Sequence, residues 1–152
     1  MNNQVTDDFM QDIFKVKKLF VYCYSDVYFS SLIINNIGNN LQYIPNFKSF
    51  SYVDDLNRLV VRFTTDNETS NINTISPQIK NLLNTFVENC FYDSYINNLM
   101  YRIAERFGDL DSYIAFNTLM KKGYGHIIPS HIFKLFCVNE EDNTTCFWLE
   151  LV

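Results

Sequence analysis

Leu19-Phe20-Val21-Tyr22-Cys23-Tyr24 is the stretch on which the fold class turns. These six consecutive apolar or aromatic residues, bounded by Ser25-Asp26, are too few for a helix of their own. They carry the β-branched and aromatic side chains of a strand buried on both faces. As a strand they open a sheet; as the continuation of the segment before them they belong to an all-α bundle. That preceding segment reads as a short helix, with Thr6 as its cap and Asp7 and Asp8 in its first turn. Phe9, Met10, Ile13 and Phe14 form its apolar stripe, and Lys15, Lys17 and Lys18 stand near its end. Beyond the run, Ser25 or Asp26 caps a helix with Phe29, Leu32, Ile33 and Ile37 inward, and Gly38 is expected to end it in the left-handed conformation.

Farther along, Asn39 to Asn46 reads as a loop. Phe50 and Tyr52 alternate with Ser49 and Ser51, and Leu59, Val61 and Phe63 alternate with Arg58, Val60 and Arg62, a hairpin pattern turning after Asp54-Asp55. Thr64 to Thr74, with Ile72 its one apolar residue, reads as a loop. Ser76-Pro77 then reads as an N-cap with proline in the first turn. Ile79, Leu82, Leu83, Phe86, Val87, Cys90 and Phe91 follow it on one helical face. The pattern restarts after Asp93-Ser94 at Ile96, Leu99, Met100, Ile103 and Phe107, closed by Gly108, and a third helix spans Asp109 to Lys122 before Gly123. Ile132 to Val138 and Thr145 to Val152 flank the polar Asn139-Glu140-Glu141-Asp142-Asn143 as a closing hairpin. The expected architecture is a single α+β domain over 1–152. Its antiparallel sheet, ending in this C-terminal hairpin, packs against about four or five helices. The alternative is the all-α bundle.

Composition narrows the function. The chain of 152 residues is 47% hydrophobic and 19% charged, with net charge -5, which excludes a disordered or collagenous chain. No apolar run approaches the roughly 20 residues of a membrane helix. Nineteen Asn and fourteen Phe against two Ala and four Gly match an AT-rich genome, such as that of a virus, intracellular bacterium or mobile element. Lysine is also AT-coded, yet only eight occur, and the acidic balance disfavours a duplex nucleic-acid binder, whose affinity comes from clustered cations. Met1 to Asp8 does not read as a secretory leader, so a cytoplasmic protein is expected. The four cysteines have no CxxC spacing and read as small core residues of a reducing compartment.

Four residues could form a metal centre: His126, His131, Cys137 and Cys146, whose ligand types suit tetrahedral zinc. If the closing hairpin is symmetric about Glu141-Asp142, the two cysteines stand opposite each other on one face. Intervals of four, five and eight residues match no common zinc motif, and Leu135, Phe136, Phe147 and Trp148 surround the cysteines with apolar bulk. Asp54-Asp55 and Asp109-Leu110-Asp111 pair carboxylates as magnesium or acid-base sites do, and equally as turns and helix caps do. His126 or His131 could serve as base to a serine or cysteine in a hydrolase. No Gly-x-Ser-x-Gly elbow and no glycine-rich phosphate loop is present. Lys121-Lys122-Gly123-Tyr124-Gly125-His126, with Arg58 and Arg62, could grip single-stranded RNA, although a lysine-rich helix end explains the first of these.

Leu99-Met100-Tyr101-Arg102-Ile103-Ala104-Glu105-Arg106-Phe107-Gly108-Asp109 resembles the death-motif helix of the Bcl-2 family. Tyr113-Ile114-Ala115-Phe116 and Phe147-Trp148-Leu149-Glu150-Leu151 resemble its groove-forming segments. The resemblance implies a viral helical bundle that binds proteins. It departs from the family where Ala104 replaces a large leucine and where about 30 residues separate the last two segments, too few for two long helices. With no catalytic or cofactor pattern outweighing its structural explanation, the sequence reads as a small non-enzymatic interaction or regulatory protein. An aromatic-rich face is expected to bind a protein partner or form a homodimer. A zinc-binding or hydrolytic module is the alternative.

Overall fold

The first helix, α1, runs from Asn2 to Tyr24 without a break. The strand expected at Leu19–Tyr24 is therefore the end of a helix, and the burial pattern shows why. Ile13, Val16, Phe20 and Cys23 recur at helical spacing with at most 2% of their surface exposed, and Leu19 and Tyr24 flank them. Val21, which a doubly covered strand would bury, is 51% exposed. Extending a helix already nucleated adds one hydrogen bond per residue, whereas a strand here would need a new partner. The same register corrects two further expectations. Thr6 lies inside the helix and does not cap it, and the inward stripe leaves Met10 and Phe14 outside.

This computed structural model describes the backbone of residues 2–44, 47–55, 58–66, 72–139 and 144–151, and the side chains of 8–32, 35–44 and 76–135. After α1, Ser30 Oγ donates to the Tyr24 carbonyl at 2.8 Å. The Asp26 carboxylate accepts from the Phe29 amide at 3.0 Å, capping α2 (Val27–Ile33). Gly38 does not stop the chain's helical course. A π-helical turn, Ile34–Gly38, leads into α3 (Asn39–Leu41), with Gly38 right-handed at φ -59°. Buried Ile37, Leu41 and Ile44 hold this extension against the core.

Four strands follow the two hairpin patterns. β1 (Phe47–Asp55) pairs antiparallel with β2 (Arg58–Asp66), and β3 (Phe133–Asn139) with β4 (Thr144–Leu151). The hairpins join edge to edge through β2 and β4, in the order β1-β2-β4-β3. Between them lie α4 (Ile72–Tyr92), α5 (Ser94–Arg106), α6 (Leu110–Lys121), a single 3-10 turn (Gly125–Ile127) and α7 (Ile128–Ile132). Helix α4 begins a full turn before the expected cap, so Pro77 sits inside it and omits the bond its amide would have given Asn73. The expected loop at Thr64 to Thr74 is shortened at both ends by β2 and α4, and 67–71 lies outside the described residues.

Helices α5 and α6 match the reading of their sequence, and both end alike. Gly108 has φ 68° and Gly123 φ 86°. The Asp109 amide donates to Ala104 and the Tyr124 amide to Leu119, each at 2.9 Å, closing Schellman turns that need a left-handed residue. The described core is helical: α1, α2, α4, α5, α6 and α7 supply nearly all its buried side chains. The sheet meets this bundle where β3 leaves α7, with Phe133 buried and Leu135 packed against the core.

Cys23, Tyr24 and Cys90 are buried together in that core. Burial pushes both thiols and the phenol above their ordinary values of 9.0 and 10.0. Folding therefore favours the neutral forms. Stability is expected to be full below about pH 9 and to fall as rising pH ionises these groups in the unfolded chain. Urea unfolding between pH 7 and 10.5 checks this, and an unchanged midpoint would contradict it. The Tyr24 hydroxyl is buried with no hydrogen-bond partner among the described residues. Tyr24→Phe is accordingly expected to be neutral or to stabilise by about 1 kcal/mol, and to reduce the alkaline loss.

Candidate functional site

Three features of the surface bear on function: the outer face of α1, the elbow beside its C-terminal end, and a cleft where the sheet joins the bundle. On α1, Met10, Phe14 and Val21 lie at i, i+4 and i+11 and are 50%, 58% and 51% exposed. Lys18 reaches over the Phe14 ring, its Nζ 4.8 Å from the centroid. Lys15 and Gln11 complete a shallow depression around them. The face is thus an apolar stripe with lysines beside it, on a chain whose net charge is -5.

At the elbow, Tyr22 stacks on Phe107 at 4.5 Å between centroids, 15° from parallel, and its hydroxyl donates to Asp109 Oδ2 at 2.8 Å. That hydrogen bond, with some burial, raises the Tyr22 pKa above its ordinary value. Arg106 reaches Asp26 at 2.8 Å and ties the start of α2 to the same turn. Asp109 also caps α6 by accepting from the Ser112 amide. Phe107, Val27 and Leu110 remain exposed around this clasp.

The cleft holds about 250 Å³ where α4, the 3-10 turn, α7 and β3 meet. Ser76, Ile79, Lys80 and Leu83 form one stripe of α4, while His126, Pro129 and Ser130 come from the 3-10 turn and α7. Phe133 and Leu135 are alternate residues of β3. Its floor is apolar and its rim polar. The Ser130 hydroxyl donates to the Ile127 carbonyl at 2.9 Å. Among the described residues no hydrogen bond joins His126 to either serine, so the cleft shows no paired nucleophile and base.

Of the four metal-ligand candidates, the side chains of His126 and His131 are described, and those of Cys137 and Cys146 lie outside the described residues. His126 is exposed on the cleft rim, and His131 is half-buried in α7. In the closing hairpin Cys137 pairs with Phe147 and Cys146 with Val138, one residue away from the symmetric register. Register partners share a face and successive residues alternate, so this offset assigns the two cysteines to positions on opposite faces. Among the described residues no group of three or more His, Cys, Asp or Glu side chains is placed to hold a metal. Asp109 is accounted for by capping and by Tyr22, and Asp111 by the first turn of α6. Asp54 and Asp55 end β1, and the side chains of Arg58 and Arg62 lie outside the described residues. Lys121 and Lys122 end α6 ahead of its Schellman glycine.

Residues that sequence reasoning passed over include Lys80 and Ser130. For Lys80 the signal is its i, i+3, i+4, i+7 spacing with Ser76, Ile79 and Leu83, whereas nothing local marks Ser130. No family model, curated protein or solved structure matches the chain. Among the described residues no helix is long and apolar enough to cross a membrane.

The clasp yields a direct test. Tyr22→Phe is expected to cost about 1 kcal/mol, and Asp109→Ala about 2, because it removes both a cap and an acceptor. In the Asp109→Ala background the tyrosine substitution becomes nearly silent, and ultraviolet titration shows the Tyr22 pKa lowered. Additive costs in a double-mutant cycle would contradict the coupling.

Proposed function

We propose that this protein is a non-enzymatic binding module whose outer α1 face docks an amphipathic helix of a protein partner, the helix being acidic beside its apolar stripe. The supporting observation is the exposure of Met10, Phe14 and Val21 along one helical face with Lys15 and Lys18 beside them. Large apolar side chains in a row are the anchors that helix-in-groove recognition uses, and the lysines supply complementarity to acids on the partner. In this reading the helical bundle carries the binding face. The antiparallel sheet packs onto the bundle through β3, giving the α+β arrangement in which the C-terminal hairpin braces the helices. The cytoplasmic setting and the origin in an AT-rich genome, such as a virus, belong to the same proposal.

The experiment compares two designed amphipathic helices with the same leucine stripe, one flanked by glutamates and one by lysines. Fluorescence anisotropy is expected to show saturable binding of the acidic helix, at least tenfold tighter than the basic one and weakened tenfold or more by Phe14→Glu. Equal affinity for the two helices, or no effect of Phe14→Glu, would overturn the proposal. Light scattering on the free protein covers the homodimer reading. A dimer abolished by Phe14→Glu would assign the face to a second copy and not to a separate partner.

A further inference from the structure

The cleft between α4, α7 and β3 is distinct from the outer face of α1, and its chemistry is divided in two. Ile79 and Leu83 from α4 and Phe133 and Leu135 from β3 make an apolar floor, while Lys80 and His126 stand on the rim. Among the described residues no aspartate or glutamate lines it, although the chain carries 17 acids against 12 lysines and arginines. Lys80 is exposed and has no ion-pair partner among the described residues. The imidazole of His126 offers a ring N–H donor whether neutral or protonated.

The geometry points to a binding site for a small monoanionic amphiphile, a medium-chain carboxylate, with its chain on the apolar floor and its headgroup at Lys80 and His126. Size and charge argue for this class. A cleft of about 250 Å³ lies just under the range of sites for drug-sized ligands, so it suits a short chain and not a lipid with two acyl tails. A single lysine acts as a point charge and balances one negative charge, whereas the second charge of a dianionic phosphate calls for further cations. Concave apolar walls with few convergent polar groups are the usual form of small-molecule sites.

Isothermal titration of the full chain with butanoate, hexanoate, octanoate, decanoate and octanol tests the assignment. Affinity is expected to rise about fourfold per methylene through the series and to level off once the cleft is filled. Octanoate should bind with one-to-one stoichiometry and at least tenfold tighter than octanol. Lys80→Gln, on an exposed position, is expected to bring octanoate down to the affinity of octanol while leaving octanol unchanged. Leu83→Gln should weaken both, with circular dichroism confirming the fold of each variant. Absence of saturable octanoate binding, an affinity indifferent to chain length, or a Lys80→Gln variant that keeps its preference for octanoate over octanol would overturn the inference.

Discussion

Tyr24 of α1, Phe29 of α2, Phe86 of α4 and Phe133 at the head of β3 form a closed cycle of edge-to-face rings, with centroids 6.2 to 6.4 Å apart around it. Each such contact adds about 0.5–1.5 kcal/mol beyond the area it buries. More important is what the cycle joins. Its members come from the N-terminal helix, the helix after the first turn, the central helix and the second hairpin, so it is the point where long stretches of chain must converge. Phe29 extends the contact to Phe20, and Phe20 to Phe116 of α6, carrying it across the bundle. All of this requires α1 to stay helical through Tyr24. A strand at Leu19–Tyr24 would alternate its side chains and turn either Tyr24 or Cys23 away from the rings.

Fixing the inner face of α1 fixes its outer face as well. Because Ile13, Val16, Phe20 and Cys23 point inward, Met10, Phe14 and Val21 are left to solvent, and the clasp of Tyr22 with Phe107 and Asp109 anchors the C-terminal end of the helix. The exposed apolar face is thus a consequence of the packing register. The cleft depends on the same core in another way, since Phe133 contributes both to the ring cycle and to the cleft floor.

Much of this fold could be read from residue patterns where a local device marks the boundary. Asp93 caps α5 by accepting from Tyr95 and Ile96, and Gly108 and Gly123 close α5 and α6, all chemistry visible in single residues. The first hairpin was legible because alternation over a strand has a period distinct from that of a helix, and the second because a polar segment, Asn139 to Asn143, separates two apolar runs. The failures came where a local signal met a longer-range one. Leu19–Tyr24 has strand-like composition, but the stripe from Ile13 onward outweighed it. Gly38 can terminate a helix and does not here, because the burial of Ile37, Leu41 and Ile44 favours going on. Thr6 and Pro77 look like helix starts and lie inside longer helices.

The candidate sites were less legible because they are made by tertiary proximity. The symmetric turn that would have paired Cys137 with Cys146 differs from the observed register by one residue, which no composition rule distinguishes. The cleft draws on residues from Ser76 to Leu135, and nothing in either segment alone marks it. Everything rests on the unbroken helical course of α1, and the most direct measurement is the set of backbone ¹³Cα chemical shifts of Leu19–Tyr24 in solution. The account predicts downfield, helical deviations from random-coil values through all six residues, continuous with those of Ile13–Lys18. Upfield, strand-like deviations over this stretch would contradict it.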